Sequence, residues 1–250
     1  MNAILILMTS TNKSIAKQAG VISFATLISR ILGLVRDMVI AHIFGTTQAI
    51  EAFVVAFRIP NMTRDLVGEG AMNAAFIPVF SEYLYQRKRQ EFWKLLGNVF
   101  NLTLAALLFI TILGMLISPI LVRLIAPGFV KEPLKLELTI KLTRIIFPYL
   151  ILIGLTAYAM GVLNTFKSFA APAIGPAFLN IALIFSALFL SPRLKEPVMG
   201  LAFGVILGGL LQLAVQLPWL YKTGFAWKAV LSCGIAFDEP GTRRIGRLLS

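Results

Sequence analysis

The stretch SRILGLVRDMVIAHIFG, residues 29–45, is apolar enough to read as a lipid-soluble helix, yet it carries Arg30, Arg36 and Asp37 in its middle. An Arg or Asp at the centre of a membrane span costs roughly 2.5–3.5 kcal/mol on insertion scales, whereas each Leu, Ile, Val or Phe returns only about 0.3–0.6. Three such charges cost on the order of 8–10 kcal/mol, about what a whole apolar span recovers. This helix must therefore keep its charges out of lipid, by pairing them or by wetting them in a cavity.

The rest of the chain makes the membrane reading general. Of 250 residues, 58% are hydrophobic and 14% charged, where a soluble domain has about a quarter of its residues charged; the mean hydropathy is +0.86. The net charge of +12 would suggest nucleic acid in a soluble protein. Here most of the basic excess lies between apolar spans, where it sets orientation and meets anionic membrane lipid, so no nucleic-acid partner is expected. The single cysteine, Cys233, cannot form an internal disulfide. The first eight residues, MNAILILM, are too short to span and no small-residue cleavage site follows them, so no cleaved leader is expected. There is no Walker loop, dinucleotide fingerprint or His/Cys cluster, and GEGAMN at 68–73 does not make one; neither an enzyme nor a cofactor nor a metal site is expected.

At about 20 apolar residues per helical crossing, six spans are expected near 15–43, 49–82, 97–122, 139–163, 170–191 and 198–220. The runs lack the ten-residue alternation of a membrane barrel, so the fold class is all-α and polytopic. With the N-terminus inside, the inner segments hold Lys13, Lys17, Arg87, Lys88, Arg89, Lys94, Lys167, Lys222, Lys228, Arg243, Arg244 and Arg247, against Lys131, Lys135, Arg193 and Lys195 outside. That asymmetry predicts a cytoplasmic N-terminus. Polarity rises after Tyr221, which divides the chain into a six-helix lobe, 1–220, and a cytoplasmic connecting segment, 221–250, leading toward a second lobe. Six-span blocks are a common half of larger two-lobed transporters.

The second expected span is as charged as the first, with Glu51, Arg58, Arg64, Asp65 and Glu69. Positions 51, 58, 65 and 69 fall within about 40° of one stripe on a regular helix. Arg64 lies off that stripe, but Pro60 removes a backbone donor and Gly68 with Gly70 loosens the next turn, so a kinked or broken helix is expected. Discontinuous helices of this kind mark transport sites. Pro148, Pro172 and Pro176 are further kink candidates. In the last span Gly200, Gly204 and Gly208 recur every four residues, followed on the same stripe by Gln212 and Gln216, a pattern that suits close helix packing.

These motifs carry a resemblance. SRILGLVRDMVIAHIFG, EAFVVAFRIPNMTRDLVGEGAMNAAFIPVFSEY at 51–83, APGF at 126–129, FPY at 147–149 and NTFKSFAAPAIGPAFLN at 164–180 resemble the MurJ (MviN) lipid II flippases of the multidrug/oligosaccharidyl-lipid/polysaccharide exporter superfamily. The likeness runs in register from about Ser14 to the C-terminus. It implies the first of two six-helix lobes in a V-shaped carrier of the bacterial inner membrane, which moves a lipid-linked peptidoglycan precursor to the outer leaflet by alternating access, alongside the cell-wall synthesis machinery. By position it implies that Arg30, Arg36 and Arg64 match the family's cavity arginines and that Asp37, Glu69 and Asn61 match other residues of the same cavity. Glu51 stands where the family commonly has Asp. Arg offers permanently charged, bidentate donors suited to a diphosphate.

Two other classes stay open on the residues alone. A carrier for another polyprenyl-linked polysaccharide, or a drug/cation antiporter of the same superfamily, would share the fold. The latter should show an acidic cation site with few arginines. A non-transporting membrane scaffold that binds a wall-synthesis partner would share the spans but make no use of the arginines.

Overall fold

The computed structural model describes residues 2–64, 72–231, 233, 234, 236 and 239–249, with side chains described from Ala19 onward except at 63, 64, 72–74, 229, 231 and 249. The described residues form the helices α1 (Asn2–Phe44), α2 (Gln48–Arg64), α3 (Met72–Gln86), α4 (Arg89–Ile125), α5 (Pro133–Ile146), α6 (Tyr149–Thr165), α7 (Ala170–Phe185), α8 (Val198–Lys222), α9 (Trp227–Leu231) and α10 (Pro240–Leu249). A backbone in hydrocarbon must satisfy its own hydrogen bonds, and long apolar runs do so as helices.

Among the described residues five stretches are long and apolar enough to cross a membrane: Ala19–Phe44, Arg89–Ile125, Pro133–Thr165, Ala170–Arg193 and Val198–Lys222. Six spans were expected. The second, 49–82, is represented by α2 and α3, neither of which is long enough alone. Pro60 lies inside α2, which continues to Arg64, and the break expected around Gly68 and Gly70 falls outside the described residues. The fourth crossing is divided as well, at Phe147–Pro148, between α5 and α6. After α7 the helix widens into a π turn over Ser186–Leu190 and closes with a 3₁₀ turn over Ser191–Arg193, a feature that proline placement did not announce.

Two apolar clusters hold the helices together. One joins α2, α5, the start of α6, the end of α7 and the start of α8, with Phe53, Leu142, Tyr149, Leu150 and Leu201 buried in it. The other joins α3, the first turns of α4, the second half of α6 and the end of α8. There Tyr158 is edge-on to both Phe76 and Phe80 and donates its hydroxyl to the carbonyl of Leu96 at 2.9 Å. Phe225, Val230 and Ile245 belong to this second cluster. Asn98 of α4 donates to Thr242 Oγ1 and to the carbonyl of Ala236, and accepts from the amide of Ala236, each at 2.6 Å. Packing therefore crosses position 220, and residues beyond it dock on α3 and α4.

The glycine stripe of α8 is a packing device over most of its length. A Cβ at Gly200 would stand 2.8 Å from the backbone of Ser191, and one at Gly208 would stand 2.5 Å from Leu179 Cδ1. Ser186 donates to the carbonyl of Gly200 at 2.5 Å across the same contact. Small residues are what allow two helices to approach this closely in lipid.

Candidate functional site

The charges of α1 sit on the least covered helix of the lobe. From Val21 to Met38 its large apolar side chains, among them Phe24, Leu27, Ile31 and Leu34, are mostly exposed, and the helix packs chiefly on α7. Arg30 and Asp37 are seven residues apart, which sets them within about 20° of one stripe. Both are exposed. A lipid-facing stripe with two charged side chains at mid-span would carry the full insertion cost, a cost that a wetted wall or a contact with further protein avoids.

Arg36 turns the other way, toward α7, and is only 25% exposed. Its Nε and Nη2 both donate to Oδ1 of Asp37, at 2.9 and 2.8 Å, and its Nη1 donates to Oδ1 of Asn180 at 2.9 Å. Asn180 in turn donates through Nδ2 to the carbonyl of Ser29 at 3.0 Å. The asparagine thus brackets α1 two turns before the arginine and fixes where its guanidinium points. A guanidinium has five N–H donors; three are used here, which leaves two for an anion without breaking the bracket. Asp37, at 66% exposure, is an accessible counter-charge and not a buried one.

Glu51 takes a different partner from the arginines. It accepts a hydrogen bond from Lys135 Nζ at the start of α5. That amine also lies 3.5 Å from Glu132 and 4.0 Å from the centre of the Phe129 ring, while Gln48 ties Glu132 back to α2 at 2.7 Å. Lys135 is only 7% exposed. The clamp joins α2 to α5 at the end of the lobe where α1 finishes. Among the described residues no carboxylate pairs with Arg30 or Arg58, and both are exposed. Asn61 is half-buried near the end of α2. Arg64 closes that helix by its backbone, its side chain not being described, and Asp65 and Glu69 lie outside the described residues.

Sequence reasoning missed Asn180 and Lys135. Asn180 had a signal: it is the one strongly polar side chain in AAPAIGPAFLNIALIF, and a lone amide in such a helix looks for a partner on the next. Lys135 had none, because a lysine in PGFVKEPLKLE reads as an outer-loop charge.

A bundle of membrane-length helices, one of which carries Arg30 exposed at mid-span and Arg36 turned toward α7, is a polytopic helical membrane module of the transporter type. The chain belongs to the MurJ lipid II flippase family, whose model, described as "Lipid II flippase MurJ", matches residues 40–249. It is 41% identical over 224 residues to the lipid II flippase MurJ of Burkholderia cenocepacia, covering 90% of this chain and 43% of that protein. It is 43% identical over 201 residues to the probable lipid II flippase MurJ of Buchnera aphidicola from Acyrthosiphon pisum, covering 80% and 39%. A solved structure of lipid II flippase MurJ in an inward closed conformation superposes with a TM-score of 0.69 at 29% identity, over 91% of this chain and 45% of that one. The chain thus spans somewhat under half the length of the relatives it matches.

Proposed function

We propose that this chain is the first lobe of a carrier that moves a lipid-linked peptidoglycan precursor from the inner to the outer leaflet of the bacterial inner membrane by alternating access. Residues 1–220 provide the membrane lobe and 221–250 the cytoplasmic segment that leads to a second lobe, with the N-terminus in the cytoplasm and the wall-synthesis machinery as neighbour. The observation that carries this reading is the held guanidinium of Arg36: fixed by Asp37 and Asn180, it keeps two donors for an anion on a helix whose charged stripe is uncovered. Arg30, Arg36 and Arg64 receive the diphosphate, with Asn61 beside them. Asp37 and Glu69 balance the empty cavity and compete with the incoming anion, which couples binding to closure. Glu51 works through Lys135, holding one end of the cavity wall.

The test is a graft. This chain replaces the matching segment of a full-length relative in cells whose own flippase is depleted. The chimera should restore growth and carry labelled precursor to the outer leaflet. A chimera that reaches the membrane at normal abundance and does neither would overturn the proposal.

A further inference from the structure

The close packing of the α8 stripe stops short of its last two members. Gln212 and Gln216, 3% and 1% exposed, line a half-open hollow of about 290 Å³ between α1, α6, α7 and α8. Neither Nε2 of Gln212 nor Oε1 of Gln216 has a hydrogen-bond partner. Two buried amides with unmet bonding capacity cost free energy unless something polar meets them. Other groups face the same space as acceptors. Thr26 and Thr156 also line it, and each spends its hydroxyl proton on a carbonyl of its own helix, at 2.9 and 2.8 Å, which leaves the oxygen lone pairs. Pro176 has no N–H to give the carbonyl of Pro172, and both line the hollow.

Three properties restrict the occupant. No ionisable side chain lines the hollow, so it is neutral. The wall offers one amide donor, Gln212 Nε2, and several oxygen acceptors beside aliphatic surface, so the occupant needs hydroxyl or amide groups and apolar faces. At about 30 Å³ per water the space holds on the order of ten waters, so it is far too large for one, and it matches the lower end of the small-molecule range of roughly 300–1,000 Å³. Its position adds a fourth. Pro176 is one helical turn along α7 from Asn180, the residue that holds Arg36; four residues of helix rise about 6 Å. A ligand whose diphosphate lies on Arg36 would have its next group at the mouth of this hollow.

We infer that the hollow bounded by Gln212, Gln216, Thr26 and Thr156 is a second subsite, which takes the neutral hydroxyl- and amide-bearing sugar of the lipid-linked precursor while the arginines hold its diphosphate. The inference rests on the proposed function. It divides recognition into a charged site that any polyprenyl diphosphate satisfies and a neutral site that reads what the diphosphate carries.

The experiment compares two probes on the full chain in lipid nanodiscs: a polyprenyl diphosphate without sugar, and the same lipid bearing one N-acylated sugar. The sugar-bearing lipid should bind more tightly. Gln212→Leu and Gln216→Leu should each weaken it by about three- to tenfold, the loss of one or two neutral hydrogen bonds, and leave the sugar-free lipid unchanged, which also reports an intact fold. Arg36→Ala should weaken both lipids alike. Glutamine variants that bind the sugar-bearing lipid as wild type does, or that lose both lipids equally, would overturn the subsite while leaving the diphosphate site in place. A wild-type chain that binds neither lipid would remove the proposed function and the subsite with it.

Discussion

Arg36 and Asn180 are 144 residues apart in sequence and meet at 2.9 Å, the arginine donating through Nη1 to the amide oxygen. The same amide donates to Ser29, so one side chain both joins α7 to α1 and aims the guanidinium.

Replacing Asn180 by Leu removes a hydrogen bond to a charged group, worth about 1.5–3 kcal/mol, and frees Arg36 to rest on Asp37 alone. In the complete protein Asn180→Leu should lower transport by roughly ten- to a hundredfold, the factor those energies imply. Asn180→Asp should be worse, because a carboxylate there competes with the substrate's anion for Arg36. Precursor translocation normalised to membrane abundance checks both. Wild-type rates in both variants would show that the contact does not aim the arginine.

The clamp at Lys135 predicts non-additivity. Its amine has two carboxylates, Glu51 and Glu132, and each is about half exposed, so either alone contributes little. Glu51→Gln and Glu132→Gln should each be mild. Together they leave the Lys135 ammonium without a carboxylate, a loss larger than the two singles added, and Lys135→Met added to the double variant should recover most of it. Unfolding midpoints in detergent measure the cycle. A double variant equal to the sum of its singles would mean that the lysine is not held by the pair.

What the sequence made legible follows from how locally each feature is written. The arginines of α1 stand out because an apolar helix gives charge no local excuse, and the division between α5 and α6 is foreshadowed by Pro148. The glycine stripe of α8 is periodic and was readable as packing, yet the same period carried Gln212 and Gln216 into that reading although they line a hollow. Partner choice was not legible. Glu51 shares a helical stripe with Arg58, but its ion pair comes from Lys135, 84 residues on, and no spacing rule within one helix reaches that far.

Orientation gives a labelling prediction. In a Cys233→Ala background, cysteines placed at Lys13 and Lys88 should resist a membrane-impermeant thiol reagent in intact cells, and one at Lys131 should react. The basis is the excess of Lys and Arg in the segments assigned to the cytoplasm. Reaction at 13 and 88 with protection at 131 would invert the lobe, and with it the leaflet from which the cavity loads.

The cavity arginines decide between a transport site and a structural tie. In the complete protein Arg30→Ala, Arg36→Ala and Arg64→Ala should each abolish support of growth at normal membrane abundance, since removing a charge from a span eases insertion. Arg→Lys should rescue poorly wherever the guanidinium makes a bidentate contact, because an ammonium cannot reproduce the planar fork. The tie alternative is sharpest at Arg36, where loss of the side chain frees Asp37 and leaves Asn180 without its donor. Asp37 is mostly exposed, so freeing it strands no buried charge and should not lower abundance. If Arg36 were only a tie, the neutral double variant Arg36→Ala with Asp37→Asn would restore growth, as removing both members of a pair leaves nothing unpaired. Continued failure of that double variant at wild-type abundance is the expected result, because the precursor's diphosphate would still lack its arginine.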